Sequence, residues 1–301
     1  LSVIEIYREK LPHHPLLGRN VHFDSRSKLF AVQPEAAPIV ATRWPQYIGI
    51  LDQGQTGSCT GNASDSCAYH SPFFAQGQAN WSYTPDEDGA RRWYHDNTEN
   101  DDYPGTWNVD GSGEDTGSDG LTSSKMAVRA GVTSGYQAAL DLDSSLQQLM
   151  KVPGITGIPY YNSMFDAPSS GLLTVDFKSG LAGGHELVVD EVVTADDKRN
   201  GTGELLVGGD NSWGSGWGAQ GRWYLKASDW WALRKANGDV YFWTPVSLPA
   251  PSPVGPTPIT DPLDGSLWRA TAPFRSDHHV MPHIVAAASA LDAWGEKKGL
   301  S

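Results

Sequence analysis

Thiols are scarce in this chain: Cys59 and Cys67 are its only cysteines, and the small-residue segment that holds both reads as one helix. At ~1.5 Å rise per residue their α-carbons would stand roughly 12 Å apart, beyond the ~7 Å reach of a disulfide, so an internal bridge is not expected. That suits a reducing compartment or assembly inside a cell, but a large core dispenses with disulfides outside one too, and the compartment stays open. No apolar run approaches the ~18 residues of a membrane helix, so no membrane span is expected. The stretch Leu1–Arg8 has no secretory pattern. No dense Lys/Arg patch offsets a net charge of −13, which argues against nucleic acid or anionic lipid as the main partner. Internal repeats are absent.

What is present is the material of a globular protein. A hydrophobic content of 39% with 12 tryptophans is too apolar for a disordered chain, and 301 residues can bury a substantial core in one large domain or two lobes. Residues 1–46, with paired His13-His14 and scattered prolines, read as an extended wrapping arm. Helices are predicted from Cys59 to about Tyr69, where Gly61, Ala63, Ser64, Ser66 and Ala68 suit close burial, and over Leu121–Ala130 and Ser144–Met150. Residues 86–120 read as one short helix and a long loop. The pattern then changes to strands: Ile155–Tyr161, a continuous run His185–Val193, Gly203–Gly208 and Gly221–Leu225. Helices first and strands second is the order of an α+β architecture whose junction makes a cleft. Prolines crowd 248–262, a stiff connector, and Ile284–Trp294 reads as a terminal helix.

The chemistry concentrates at Cys59. It follows the Gly57-Ser58 turn at a predicted helix start, where the field of the helix N-terminus favours thiolate over thiol. Gln53, six residues earlier, can bring an amide donor back toward the same point, as an oxyanion requires. A thiol nucleophile needs a base that takes its proton and returns it, and histidine is matched to that near neutral pH. His185 stands out among the histidines: Gly183-Gly184 leaves room for close approach on one side and a strand fixes it on the other. Asn211 lies in Gly208–Gly218, a glycine-rich turn carrying two indoles. An Asn oxygen accepting from the imidazole would hold its tautomer, and Trp213 would keep water off that bond. Glu186, next to His185, is expected to raise the imidazole pKa.

The order Gln53, Cys59, His185, Asn211, Trp213, carried by Gln-Gly-x-x-Gly-Ser-Cys, Gly-His and Asn-Ser-Trp-Gly-x-x-Trp-Gly, resembles the papain-like cysteine peptidases over roughly residues 18–245. The Ser-Cys-Thr-Gly-Asn-Ala run is similar to the bacterial and phage-encoded branch. The resemblance implies an α+β two-lobe fold: a helical N-terminal lobe whose central helix starts at Cys59, and an antiparallel β-barrel-like C-terminal lobe. It implies Cys59 as nucleophile, His185 as general base and then acid, and Asn211 as orienter. Gln53 with the Cys59 N–H would form the oxyanion hole and Trp213 the shield. Gly117, Ser118 and Gly184 are the implied substrate-binding positions, and no cofactor or metal is implied. The domain reading is therefore an arm over 1–46, a peptidase domain over 47–247, and an attachment segment over 248–301 for an assembly partner. A peptide or protein substrate is expected, in a virion-associated or extracellular setting. Two rivals stay open: an amidase of cell-wall peptides, and a non-catalytic assembly protein that retains the fold. The long helical prosegment and disulfides common in secreted family members are not visible, so latency through such a prosegment is not expected.

The remaining motifs take plainer readings. Cys67 reads as a buried hydrophobe. His278-His279-Val280-Met281-Pro282-His283 has no completing ligands for a metal, and Asp115 and Asp119 with Glu99-Asn100-Asp101-Asp102 lack the flanked loop of a calcium site and read as a solvated acidic loop. The acceptor triplets at Asn80 and Asn200 carry no inference.

Overall fold

The computed structural model describes residues 17–246 except 23, 34–36 and 75–80. The connector, the terminal helix, the His278–His283 cluster, the first part of the arm and Asn80 lie outside the described residues.

The described helices are α1 (Cys59–Ala68), α2 (Glu87–Asn100), α3 (Gly120–Arg129), α4 (Leu142–Leu149) and α5 (Ala227–Lys235). Aspartates start three of them: the carboxylates of Asp86, Asp119 and Asp141 accept from Gly89 N (3.1 Å), Thr122 N (2.8 Å) and Ser144 N (2.7 Å), satisfying donors that have no partner within the helix. Asp119 is therefore a buried cap, and Asp115 accepts from Gly57 N (2.7 Å) and Tyr94 Oη (2.6 Å), so neither belongs to a solvated loop. All ten residues of α1 are buried. Its small side chains are what permit this: a Cβ at Gly61 would strike the Ala90 carbonyl and stand 2.7 Å from Tyr94 N, so only glycine lets α2 pack this closely.

The strands are β1 (Thr42–Arg43), β2 (Gly135–Ala138), β3 (Gly154–Tyr161), β4 (Leu181–Val189), β5 (Glu191–Val193), β6 (Leu206–Asp210), β7 (Arg222–Lys226) and β8 (Asp239–Thr244). They form two antiparallel four-stranded sheets, ordered β2-β8-β3-β4 and β1-β5-β6-β7. The continuous run predicted over His185–Val193 is broken at Asp190, where the chain leaves one sheet for the other. The expected barrel does not form, because no sheet closes. The edge of β4 is taken at Gly184 by Arg19 N (3.0 Å), and that of β7 by Gly171 and Leu173, which exchange bonds with Tyr224 at 2.8 and 2.9 Å. With both edges covered by other chain segments, an open sheet leaves few backbone groups unpaired. The architecture is α+β and two-lobed.

Two groups of interactions tie the lobes. Trp93 stacks on Trp243 (5.8 Å, 9°), and Phe73 meets the same indole edge-on. At the chain's kink, Arg222 donates to both Asp190 oxygens (2.5 and 2.9 Å), to Asp210 (2.7 Å) and to Glu191 (3.0 Å). His70, just beyond α1, bonds Ser66 O (2.8 Å) and Asp190 (3.0 Å). Burial opposes charge on Asp190, yet Arg222 and His70 hold its carboxyl well below the usual range. His70, Asp190 and Asp210 are close enough together to ligate a metal, but the Arg222 guanidinium already supplies the cation between the two carboxylates.

Candidate active site

α1 begins at Cys59 and packs against β4, which carries His185. Both side chains are fully buried and neither cysteine is in a disulfide. Burial, then Asp190 and Asp210, pushes the Cys67 thiol well above its ordinary range, so Cys67 is an inert core thiol as its sequence context suggests.

The imidazole is held on three sides. Asn211 Oδ1 lies 2.8 Å from Nε2 and, being a carbonyl oxygen, only accepts; Nε2 therefore carries the proton. The same oxygen accepts from Ser212 N (2.8 Å), which fixes the amide's orientation. Trp213 stacks on the ring at 4.7 Å and 26°, and Tyr160 meets it edge-on at 5.3 Å and 80°. Phe165 stacks behind Trp213 at 5.7 Å. Nδ1 accepts no hydrogen bond among the described residues. With Nε2 protonated, Nδ1 is the basic lone pair of the neutral ring.

Burial lowers the His185 pKa to about 4, against a smaller raising effect of the Asn211 bond. The rise expected from Glu186 does not occur. Successive residues of a strand face opposite sides, so Glu186 points away from the imidazole and sits 3.6 Å from Arg19 Nε instead.

The Gln53 loop is locked to the Asn211 turn. Gln53 N donates to Ser212 O (2.8 Å), Ser212 Oγ to Gln53 Oε1 (2.6 Å), and Gly214 N to Leu51 O (3.1 Å). Gln53 Nε2 donates to Thr56 O (2.8 Å), and Gly54 turns with φ +59°. The structure thus brings Gln53, Asn211 and Trp213 together beside His185, on the strand against which the Cys59 helix packs.

Gly117 and Ser118 precede α3. Gly117 N donates to Tyr94 Oη (2.9 Å), while the Ser118 backbone pairs with residues 18 and 20: Ser118 N to Gly18 O (2.9 Å) and Asn20 N to Ser118 O (2.7 Å). Gly184 accepts from Arg19 N. Sequence reasoning missed Tyr160, Phe165 and Arg19. Tyr160 lay within the predicted Ile155–Tyr161 strand, but nothing marked Phe165 or Arg19, the latter in the stretch read as an arm.

This α+β two-lobe fold, with Cys59 at the head of its central helix, His185 on the facing β4 and Asn211 just beyond β6, is similar at the level of the fold to solved cysteine proteases. Xylellain, a cysteine protease from Xylella fastidiosa, superposes with a TM-score of 0.57 at 16% identity, over 77% of this chain and 96% of that one. The Amb a 11 cysteine protease, a ragweed pollen allergen solved in its proform, gives 0.53 at 16% identity, over 80% and 68%. No protein-family profile matches the chain, and no curated protein does.

Proposed function

We propose that the protein is a thiol peptidase that hydrolyses peptide bonds through an acyl-enzyme on Cys59. The observation that carries this reading is the His185 ring: Nε2–H fixed by Asn211 at 2.8 Å under Trp213, and Nδ1 left basic, on the strand that packs on the Cys59 helix. In this reading Nδ1 takes the Cys59 proton as Sγ attacks the substrate carbonyl carbon. The carbonyl oxygen becomes an oxyanion held by the first-turn Cys59 N–H and the Gln53 amide. His185 then gives the proton to the leaving amine as the C–N bond breaks, and water, deprotonated by the same nitrogen, releases the acid and restores the thiol. Asn211 stabilises the imidazolium by accepting from it at both stages. Gly117, Ser118 and Gly184 border the path of the peptide.

Digestion tests it. Full-length protein should degrade denatured casein, and Cys59→Ala should not. The same pair applied to purified peptidoglycan separates a peptidase from a cell-wall amidase. Loss of both activities in the wild-type protein would leave the fold serving as an assembly scaffold. A virion or tail setting rests on the resemblance to phage-encoded forms and on residues 248–301, and co-purification of the protein with assembled particles is its test.

A further inference from the structure

Arg19 is 2% exposed, and its side chain lies on the face of β3 and β4 opposite His185. Gly157 pairs with Glu186 across these strands, and a Cβ at Gly157 would overlap Arg19 Nε, so the glycine opens the space the guanidinium fills. Nη2 donates to Asp239 Oδ2 (2.5 Å) and Asn237 O (3.0 Å), and Nε stands 3.6 Å from Glu186 Oε2. Glu186 is fully buried and neither of its oxygens accepts a hydrogen bond among the described residues. A Cβ at Gly120 would come within 2.7 Å of Glu186 Oε1 and 3.2 Å of Asp239 Oδ1, so this wall too depends on glycine. Arg234, which with Lys28 and Lys235 borders an adjoining cavity of about 180 Å³, gives its protons to the carbonyls of Gly238 (2.8 Å) and Ala139 (3.4 Å). Asp119 is committed to its helix cap and to His22 at 3.3 Å. Glu186 is thus left to whatever side chain enters, as is Asp239 Oδ2, while Asp239 Oδ1 accepts from Gly157 N (3.1 Å).

The backbone that delivers Arg19 runs through the site described above. It bonds Gly184 O, next to His185, and both backbone groups of Ser118. Gly18 packs so tightly on Gly57, two residues before Cys59, that a Cβ there would overlap the Gly57 carbonyl. A peptide whose carbonyl reaches Cys59 must pass between the same two edges. Main-chain bonds of this kind are indifferent to sequence, so selectivity falls to the side-chain pocket beside them.

We infer that the pocket made by Gly120, Gly157, Glu186 and Asp239 is a substrate subsite selective for a basic side chain, and that Arg19 fills it as a tethered competitor. This rests on the peptidase reading. A leucine in the same space would leave Asp239 without a countercharge and the buried Glu186 oxygens without a donor, which discriminates against it as much as the contacts favour arginine. The segment carrying Arg19 also lies against Gly184 and Gly57, close in sequence to His185 and Cys59.

The test uses full-length Arg19→Gln and a positional-scanning library of fluorogenic peptides. Arg and Lys should be preferred over Leu and Glu at one position by tenfold or more, and adding Glu186→Gln with Asp239→Asn should bring the preference under twofold. Cleavage with Leu favoured, or with no discrimination, overturns the inference. A second readout needs no turnover: calorimetric binding of the capped peptide Leu17–His22 and its Arg19→Leu counterpart to Cys59→Ala/Arg19→Gln. Tenfold tighter binding of the arginine peptide supports the pocket, and equal binding overturns it. Should Arg19→Gln fail to fold, Arg19→Met keeps the aliphatic stem without a cation to compete, and the same comparison decides. Absence of Cys59 alkylation alongside selective arginine binding would remove the peptidase reading while the pocket's preference stood.

Discussion

Replacing Asn211 with alanine removes the only hydrogen bond that the His185 ring makes among the described residues. In the resting protein the ring is neutral at pH 7, since its pKa lies at about 4, and an ordinary bond of this kind is worth about 1 kcal/mol net. During the reaction the ring becomes an imidazolium, and a bond to a charged group is worth about 1.5–3 kcal/mol. The bond is thus stronger in the transition state by about 0.5–2 kcal/mol, and kcat should drop about 2- to 30-fold, at about 1.4 kcal/mol per tenfold, with KM nearly unmoved. Stability should fall by about 1–3 kcal/mol as well, because Nε2–H and Ser212 N lose a buried acceptor. Asn211→Asp keeps an oxygen acceptor and should recover part of the rate. Steady-state kinetics on a fluorogenic peptide, at a temperature where urea titration shows each variant folded, reads all of this. An unchanged kcat in Asn211→Ala would refute the orienting role.

Three further outcomes follow from the same geometry. His185 has its folded pKa lowered from 6.5 to about 4, so below pH 6.5 the unfolded chain binds a proton that the folded one refuses. Its stabilising contribution is lost as pH falls from about 6.5 to about 4, by about 3 kcal/mol in all, and the difference in urea stability between pH 7 and pH 4 should shrink by that order in His185→Phe. Arg222→Met would leave Asp190, Asp210 and Glu191 buried around a missing cation; a loss of about 3–5 kcal/mol by urea titration is expected, and a loss below 1 kcal/mol would contradict the network's assigned role. Gly18→Val forces a side chain into the Gly57 carbonyl, so amide exchange at Arg19 and Ser118 should speed up several-fold while exchange in β3 stays as it was.

Much of this was readable in the sequence, for identifiable reasons. The Cys59 helix was legible because a run of small residues after Gly-Ser permits little besides a closely packed helix, and α3 and α4 fell within two residues of their predicted bounds. β8 and α5 were missed: Asp239–Thr244 is short and flanked by no turn signal except Gly238, and Trp230-Trp231 obscures a helical stripe. The break at Asp190 was illegible because apolar residues continue on both sides of it; its cause is Arg222, thirty-two positions away, whose pairing pulls the aspartate into a buried network. The barrel expectation failed similarly, since what covers the β4 edge is a segment from the far end of the chain. At the site, turn chemistry and the resemblance of their motifs singled out Gln53, His185, Asn211 and Trp213, which the structure places side by side. The depressed His185 pKa was not, because adjacency to Glu186 in sequence says nothing about the face a strand residue occupies. Arg19 was hidden for the opposite reason: its partners Glu186 and Asp239 lie more than 160 residues away and carry no motif.

The most direct test of the central claim is site-resolved alkylation. Full-length protein treated with iodoacetamide and mapped by peptide mass spectrometry should be modified at Cys59 and spared at Cys67, faster in Arg19→Gln than in the wild type, and at least tenfold slower in His185→Ala. Equal, slow modification of both cysteines in the folded wild type and in Arg19→Gln, unchanged by His185→Ala, would contradict it.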